Sequence, residues 1–290
     1  MQFDSGKELI QKCEKLKKSI AEITLMQEME HYEATKKEIE KKIILMLKIM
    51  DKSSKEALSN PVPSLSGMIG GEAQMAWKYG KKKPMSGKFL MEAMAMALST
   101  AEVNASMGRI VAAPTAGASG ILPAALMALR NQMNLALKDL IPGFLTATGI
   151  GIIIGKHSTF SGAEGGCQAE CGSAAAMTSA AIIALKGGTP KQCLDAASIA
   201  LTNIMGLVCD SVAGLVEYPC ALRNANGVVN SFTTADLVLA GITPLVSFDE
   251  VVEAMYKVGK SIPYTLRETG LGGVAATPTG CTIRKKVFGK

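Results

Sequence analysis

The amino-acid sequence predicts a mainly α-helical protein, and three observations lead to that fold class. Apolar, alanine-rich segments alternate with glycine-rich turns, and most of them are long enough to suit helices better than strands. Alternation with a period of two, bounded by hairpin dipeptides, is scarce. Aromatic residues make up only 4% of the chain, whereas it holds 29 glycines and 17 methionines, which favours closely packed helices. The predicted helices lie at residues 89–100, 120–131, 173–185, 194–205 and 233–240.

The N-terminal part of the chain differs in character from the rest. Residues 5–59 carry Lys, Glu, Ile, Leu and Met at helical spacing, as at Ile39, Ile43 and Leu47, which predicts two amphipathic helices. The segment Asn60-Pro61-Val62-Pro63 then ends this pattern, because proline cannot continue a helix. We therefore divide the chain into N-terminal helices at residues 1–60, packed on a helical main domain at residues 61–290 whose polar loops carry the chemistry.

Composition and charge exclude several classes of protein. The formal net charge of +6 comes largely from short basic stretches, with no basic stripe interleaved with aromatic residues, so we expect no nucleic-acid partner. The N-terminus lacks the basic-then-apolar pattern of a secretory signal, which predicts a cytoplasmic protein. The weakly polar run at residues 140–155 is shorter than the roughly 20 residues of a membrane helix and contains Pro142, so a buried helix with a bend is expected there.

The seven cysteines point to metal binding or catalysis, because a disulfide framework is not expected in a cytoplasmic chain of this size. Cys167, Cys209 and Cys220 each lie next to glycine, aspartate or proline at the end of a helical run. Loops of this kind let several thiolates turn toward one iron–sulfur cluster. On spacing alone the signal is weak, because a cysteine is often only a small buried residue.

Four segments together resemble a known family, the bacterial iron–sulfur L-serine dehydratases. They are residues 108–123 (GRIVAAPTAGASGILP), 161–172 (SGAEGGCQAECG), 206–224 (GLVCDSVAGLVEYPCALRN) and 267–273 (RETGLGG). The family has a one-chain form and a two-chain form in which a separate β subunit carries a small domain. This chain lacks that region and is similar to the α subunit of the two-chain form.

The resemblance implies a cofactor, a reaction and a partner. Cys167, Cys209 and Cys220 would hold three irons of a [4Fe–4S] cluster, and Cys171 would not be a ligand. In single-chain relatives a C-terminal cysteine caps the fourth iron; Cys281 lies near that position, but nine residues follow it, which puts a C-terminal plug in doubt. The implied enzyme removes water from L-serine to give pyruvate and ammonia, needs no pyridoxal phosphate, is oxygen-sensitive, and works with a β subunit in a higher oligomer.

The residues that would carry out the reaction are less well defined. An open iron can withdraw charge from the departing hydroxyl group as a Lewis acid, and a base must remove the α-proton. Candidates for that base are Cys281, His157 and Lys156, although a histidine that only packs in a loop is equally compatible with the sequence. Candidate substrate-binding residues have hydroxyls, exposed backbone N–H groups or a side chain suited to the carboxylate: Ser64, Ser66, Gly67, Thr115, Gly117, Arg223 and Asn224.

Structural interpretations of the same residues remain open at this stage. The serine and threonine segments also fit tight turns with helix caps, and Arg223 fits a structural salt bridge. Two other functions also remain. One is a cysteine desulfidase-type lyase on the same scaffold, and the other is a non-catalytic iron–sulfur subunit.

Overall fold

The computed structural model describes residues 1–289, which form thirteen α-helices joined by loops and short 3-10 or π turns, with no strand among them. In chain order the helices are α1 (Gly6–Leu16), α2 (Ile20–His31), α3 (Lys36–Ser59), α4 (Glu72–Gly80), α5 (Gly87–Ala105), α6 (Ile121–Met133), α7 (Ile141–His157), α8 (Gly162–Gly165), α9 (Ser173–Leu185), α10 (Pro190–Ile204), α11 (Cys220–Leu239), α12 (Phe248–Ser261) and α13 (Pro278–Phe288). The mainly α fold class is therefore confirmed.

The N-terminal region contains three helices, so the prediction of two was wrong. Ser19 and Thr35 cap α2 and α3, and each exchanges hydrogen bonds with the glutamate three residues later, Glu22 and Glu38. These capping boxes satisfy backbone groups at the start of a helix and thereby define where it begins. The breaks were missed because neither contains proline or glycine. The Ser-x-x-Glu and Thr-x-x-Glu patterns were the available signals.

All five helices predicted in the main domain are present. They correspond to α5, α6, α9, α10 and α11, and the predicted ranges at α6, α10 and α11 extend one residue beyond the observed helix. The largest difference is at α11, which begins at Cys220 instead of residue 233. Gly227 lies inside this helix, where a Cβ atom would collide with Ile121 of α6, so its role is to allow close packing. Gly227 therefore indicates a close contact between α11 and α6, and not a turn.

Helix α9 lies at the centre of the fold. All residues from Ser173 to Ile183 are buried, and the helix packs against α7, α10, α11 and α6. A helix that is apolar on every side must be covered on every side, and its alanines allow neighbouring backbones to approach. The N-terminal end of α9 continues directly from the cysteine-containing segment 167–172. The best-packed helix of the protein therefore supports one of the three predicted cluster ligands.

The apolar run near residue 140 forms a core helix. Together with the preceding 3-10 turn, the segment Leu137–His157 is long and apolar enough to cross a membrane by length and composition, and 56% of its most apolar window is buried inside the fold. Pro142 lies in the first turn of α7 and does not interrupt it, because that position needs no backbone donor. The helix packs against α9 and α2.

The division of the chain at residue 60 stays a prediction.

Candidate functional site

The three predicted ligand cysteines lie on three different structural elements. Cys167 follows Gly166, whose φ of 74° is left-handed, and precedes a π-helical turn. Cys209 lies in the loop after α10, and Cys220 is the first residue of α11. All three thiols are buried, with at most 5% of each residue exposed. The irregular backbone orients the side chains of Cys167 and Cys209, and the start of α11 orients that of Cys220. Each thiol is thus positioned by its own structural element.

Hydrogen bonds tie these elements to one another. Ser211 Oγ lies 3.4 Å from Cys220 Sγ and 3.9 Å from Cys209 Sγ, so one hydroxyl is close to both thiols. Gln168, next to Cys167, receives the Gly206 N–H on its side-chain oxygen and donates its own backbone N–H to Leu207 O. The Cys167 segment is thereby fixed to the loop that carries Cys209. The structure brings the three cysteines into one buried site.

A second segment, 266–274, pairs with the Cys209 loop. Cys209 N donates to Leu266 O at 2.8 Å, and Glu268 N donates to Cys209 O at 2.7 Å. Asp210 accepts a hydrogen bond from Val274 N at 2.7 Å. Gly273 has a φ of 58° and lies so close to Asp210 that a Cβ atom would overlap its carboxylate. The RETGLGG segment therefore closes one side of the site and needs glycine for this approach.

The electrostatic environment differs among the thiols. The Cys171 thiol, 3.4 Å away, and the Arg223 guanidinium together lower the pKa of Cys167. Burial raises the pKa of Cys220 to about 12 and also raises that of Cys209, and a negative charge on Cys167 raises both further. Deprotonating all three thiols therefore requires positive charge in the site beyond Arg223.

The chemistry of this donor set fits a multi-iron cluster. Within residues 1–289, no three His, Cys, Asp or Glu side chains have the spacing for a single metal ion. A cluster places its own iron and sulfide atoms between the ligands, so it suits thiols that are farther apart than the ligands of one ion. Iron would supply the positive charge that three buried thiolates require. Cys220 also lies at the N-terminus of the twenty-residue helix α11, where the helix dipole favours negative charge.

Two further carboxylates, neither of them among the predicted site residues, also reach this site. Oε2 of Glu170, Oε2 of Glu268 and Cys209 Sγ lie 2.8, 3.1 and 3.2 Å from the position that a Cβ atom on Gly162 would occupy. Burial raises the pKa of Glu170, the hydrogen bond from Thr115 opposes this, and the charge of Glu268 raises it again. The site is therefore lined by acidic groups as well as sulfur.

The predicted substrate-binding hydroxyls donate to carboxylates in the structure. Ser64 Oγ and Ser66 Oγ both donate to Glu217, a buried residue shortly before Cys220. Gly67, with a φ of 75°, completes the turn. Thr115 Oγ1 donates to Glu170 Oε1 at 2.8 Å. The hydroxyls thus hold two loops against the walls of the site, and their role in substrate binding stays a prediction.

Asn224 and Arg223 connect α11 to neighbouring loops. Asn224 Nδ2 donates to Gly117 O at 2.7 Å, and its Oδ1 accepts from Gly120 N at 2.8 Å. This double contact fixes the turn that carries Thr115. Arg223 donates to Asp210 and to Val208 O, so its guanidinium stabilises the Cys209 loop. The structural salt bridge considered for Arg223 is present.

The candidate bases lie elsewhere or at the edge of the site. At the end of α7, Lys156 Nζ binds Phe3 O and the Asp4 carboxylate, and His157 Nε2 lies 2.6 Å from Asp4 O. Both side chains thereby anchor the N-terminal segment. Cys281 is exposed on α13, which packs against the turn Val212–Gly214, and its nearest hydrogen-bond acceptor is Ala276 O at 3.8 Å. No hydrogen bond within residues 1–289 joins these three side chains to Cys167, Cys209 or Cys220.

A signal for the missed acidic residues was present in the sequence. Glu170, Asp210 and Glu217 each lie within three residues of a predicted ligand cysteine. The signal is weak, because Cys13 and Cys193, which lie outside the site, also have a carboxylate within two residues, Glu14 and Asp195. Glu268 lies in the segment 267–273, one of the four that carried the family resemblance, and that was the signal for it.

Comparison with known proteins identifies the family. A family model described as the serine dehydratase alpha chain matches residues 15–275. The chain belongs to the serine dehydratase alpha-chain family. Among similar proteins, the L-serine dehydratase alpha chain of Peptoniphilus asaccharolyticus is 50% identical over 284 residues, which cover 98% of this chain and 97% of that protein. The probable L-serine dehydratase alpha chain of Bacillus subtilis (strain 168) is 44% identical over 288 residues, which cover 99% of this chain and 96% of that protein.

Longer relatives of the serine dehydratase alpha-chain family also align. The L-serine dehydratase of Helicobacter pylori (strain ATCC 700392 / 26695) is 38% identical over 290 aligned residues, which cover 95% of this chain but 62% of that protein.

The family match spans all four segments that carried the resemblance. The family recognised from those segments is therefore confirmed.

Proposed function

We propose that this chain is the catalytic α subunit of an L-serine dehydratase that eliminates water from L-serine to give pyruvate and ammonia. The observation that carries the proposal is the meeting of Cys167, Cys209 and Cys220 in one buried site beside two carboxylates. Membership of the serine dehydratase alpha-chain family and 50% identity to an L-serine dehydratase alpha chain support the substrate and the reaction.

In this proposal the three cysteines hold a [4Fe–4S] cluster. When bound, the cluster supplies a Lewis acid at the iron that no protein thiol occupies. Cys220 uses the N-terminus of α11 to stabilise negative charge, and Arg223 does the same beside Cys167. Asp210 keeps Arg223 in place at 2.6 Å. Cys171 stays a neighbour and not a ligand.

The remaining residues shape the space around the substrate. Glu217 holds the Ser64–Gly67 turn through two hydroxyls, and Asn224 holds the turn from Thr115 to Gly120. The backbone N–H groups of residues 64–67 all donate within the protein, whereas no hydrogen bond within residues 1–289 uses those of Ala116 and Gly117, so it is the second turn that can offer donors to a carboxylate. The base that takes the α-proton is not assigned, and the candidacies of Cys281, His157 and Lys156 stay predictions.

The proposed enzyme includes a second chain. The relatives that match end to end carry the name alpha chain, and a longer L-serine dehydratase has additional sequence outside the aligned 62%. We infer a β subunit as partner within a higher oligomer, and a cytoplasmic location, where thiols stay reduced. A cluster held by only Cys167, Cys209 and Cys220 would leave the holoenzyme oxygen-sensitive.

The test is anaerobic production of the chain together with its β subunit. We expect bound iron and sulfide, a change in the absorption spectrum on adding L-serine, and pyruvate formation that is lost in air. L-Cysteine assayed in parallel separates a desulfidase. Iron-loaded protein that forms no pyruvate and shows no spectral change with L-serine would contradict the proposal and favour a non-catalytic iron–sulfur subunit.

A further inference from the structure

Cys171 is a buried thiol that the proposed reaction does not use. It lies in the π-helical turn Gln168–Gly172, and Cys167 lies directly before that turn. Cys167 is 2% exposed and Cys171 is 1% exposed, and their Sγ atoms are 3.4 Å apart. No other two thiols within residues 1–289 form a hydrogen bond with each other. One proposed cluster ligand therefore has a second thiol in direct contact.

This contact is close enough for a disulfide to form after a small local movement. The sulfurs of a disulfide are about 2.05 Å apart, so these two must approach each other by roughly 1.4 Å. The two cysteines are four residues apart in one short segment, so no distant element has to move with them. Cys209 and Cys220 lie on other segments, and the hydrogen-bond partner of each of their thiols is the Ser211 hydroxyl. Cys171 is therefore the thiol to which Cys167 can be joined most directly.

The Cys167 thiol needs protection from oxidation whenever the site holds no cluster. Oxidation of a cysteine first gives a sulfenic acid, which is reversible, and then a sulfinic acid, which ordinary thiols do not reduce. A sulfinic acid at residue 167 would remove one of the three proposed ligands permanently. A second thiol that reacts with the sulfenic acid stops this sequence at a disulfide, which thiol exchange reverses. Cys171, in contact with the Cys167 sulfur, has the position for that reaction.

We propose that Cys171 is the resolving cysteine of Cys167, so that the pair forms a reversible disulfide when a peroxide oxidises the cluster-free protein. Hydrogen peroxide transfers one oxygen atom to the Cys167 sulfur and leaves as water. The Cys171 sulfur then bonds to the Cys167 sulfur, the S–O bond breaks, and the hydroxyl leaves as water with the proton of the Cys171 thiol. The inference rests on the proposed function only for the role of Cys167 as a cluster ligand.

Mass spectrometry of one tryptic peptide tests the disulfide directly. Trypsin cleaves after Lys156 and Lys186, and the peptide 157–186 contains Cys167 and Cys171 and no other cysteine. The full-length chain with its β subunit is freed of iron by a chelator under argon, treated with a small excess of hydrogen peroxide, and alkylated at the remaining thiols. We expect this peptide to carry no alkyl group and to be lighter than its dithiol form by two hydrogen atoms. Reduction with dithiothreitol before alkylation should make both cysteines reactive again.

Removal of the second thiol should leave Cys167 unprotected. In Cys171→Ser, and equally in Cys171→Ala, the same treatment should add two oxygen atoms to Cys167 that dithiothreitol does not remove. Iron bound on later anaerobic reconstitution, relative to an untreated sample of the same protein, should be about fivefold lower than in the wild type. Cys193→Ser is the control, because it removes another buried thiol, in α10, and should behave like the wild type.

Three results would overturn the inference. The first is a wild-type peptide that gains oxygen on Cys167 and forms no disulfide, and the second is a disulfide that joins Cys167 to Cys209 or Cys220. The third is Cys171→Ser protein that recovers iron binding as fully as the wild type. Iron binding by the untreated wild type reports separately on the proposed cluster. A wild type that forms the disulfide with Cys171 but never binds iron therefore refutes the cluster ligands and supports the resolving role of Cys171.

Discussion

Arg223 Nη2 lies 2.6 Å from Asp210 Oδ1, and this ion pair joins the first turns of α11 to the loop that carries Cys209. The pair is largely buried, with 15% and 5% of the two side chains exposed. Asp210 also receives the Val274 N–H, and Arg223 also donates to Val208 O. Three chain segments that border the cysteines are therefore connected through two charged side chains.

Removing one charge of this pair should destabilise the protein strongly. Asp210→Asn leaves the Arg223 cation partly buried without its counter-ion, and we expect the free energy of unfolding to fall by about 3 kcal/mol. Urea denaturation under reducing conditions measures the change. Glu253→Gln, which removes one partner of the exposed Lys257–Glu253 pair, is the control and should cost less than about 1 kcal/mol. Equal losses in the two variants would contradict this account.

Each proposed ligand should be required for iron binding. Cys167→Ser, Cys209→Ser and Cys220→Ser should lower the iron and sulfide content after anaerobic reconstitution to a small fraction of the wild-type value, because serine is a poor ligand for a cluster that prefers thiolates. Cys193→Ser is the matched control, since Cys193 is also buried but lies in α10. We expect Cys171→Ser to retain the cluster. Full iron content in any of the three ligand variants would remove that residue from the proposed set.

Ser64 and Ser66 should contribute to stability through Glu217. In Ser64→Ala and Ser66→Ala, a buried carboxylate loses one of its two hydroxyl donors, and we expect a loss of about 2 kcal/mol in the free energy of unfolding without substrate. Thr282→Ala, which removes an exposed helix hydroxyl, should change little. An unchanged free energy of unfolding with a raised KM for L-serine would favour direct substrate binding by the two serines.

A side chain at residue 273 should destabilise the protein for two reasons. It would collide with Asp210, and the backbone there has a positive φ. Gly187→Ala carries the cost of a positive φ alone, since nothing lies within 4 Å of its Cβ position, and should lose about 1 kcal/mol. Gly273→Ala has a similar φ but would also push against Asp210, so we expect a larger loss and lower iron content. Thermal unfolding and iron analysis of both variants test this; similar behaviour would show that the contact with Asp210 is unimportant.

Stability should fall at alkaline pH, in part through Cys193. Burial raises the pKa of this thiol from 9.0 to about 12. Between these values the unfolded chain loses the proton while the folded chain keeps it, so the thiol's contribution is complete below about pH 9 and is lost as the pH rises toward 12. The loss amounts to about 1 kcal/mol per pH unit in this window.

Urea denaturation of the reduced protein between pH 8 and about pH 10.5 tests this, with Cys193→Ala as the comparison. Other groups titrate in the same range, so the informative quantity is the difference between the two proteins. The stability of Cys193→Ala should decline less steeply with pH than that of the wild type. Parallel curves would contradict a raised pKa at Cys193.

Much of the fold follows from the sequence, because helix signals are local. The alanine-rich segments gave five helices, and α9 was predicted with both ends correct. The capping boxes at Ser19 and Thr35 were present in the sequence as well, although their significance was missed. Four short segments identified the family. These features depend on residues within a few turns of one another, and a sequence shows such relationships directly.

The tertiary structure decided which of the polar residues meet. Glu170 and Glu268 are far apart in the chain, and only the pairing of the segment 266–274 with the Cys209 loop brings their carboxylates to Gly162. Likewise, the packing of α7 against the N-terminal segment gives Lys156 and His157 their partner Asp4. Residue type determines what a side chain can bind, but its partner depends on how distant helices and loops pack, and a local sequence pattern carries no information on that.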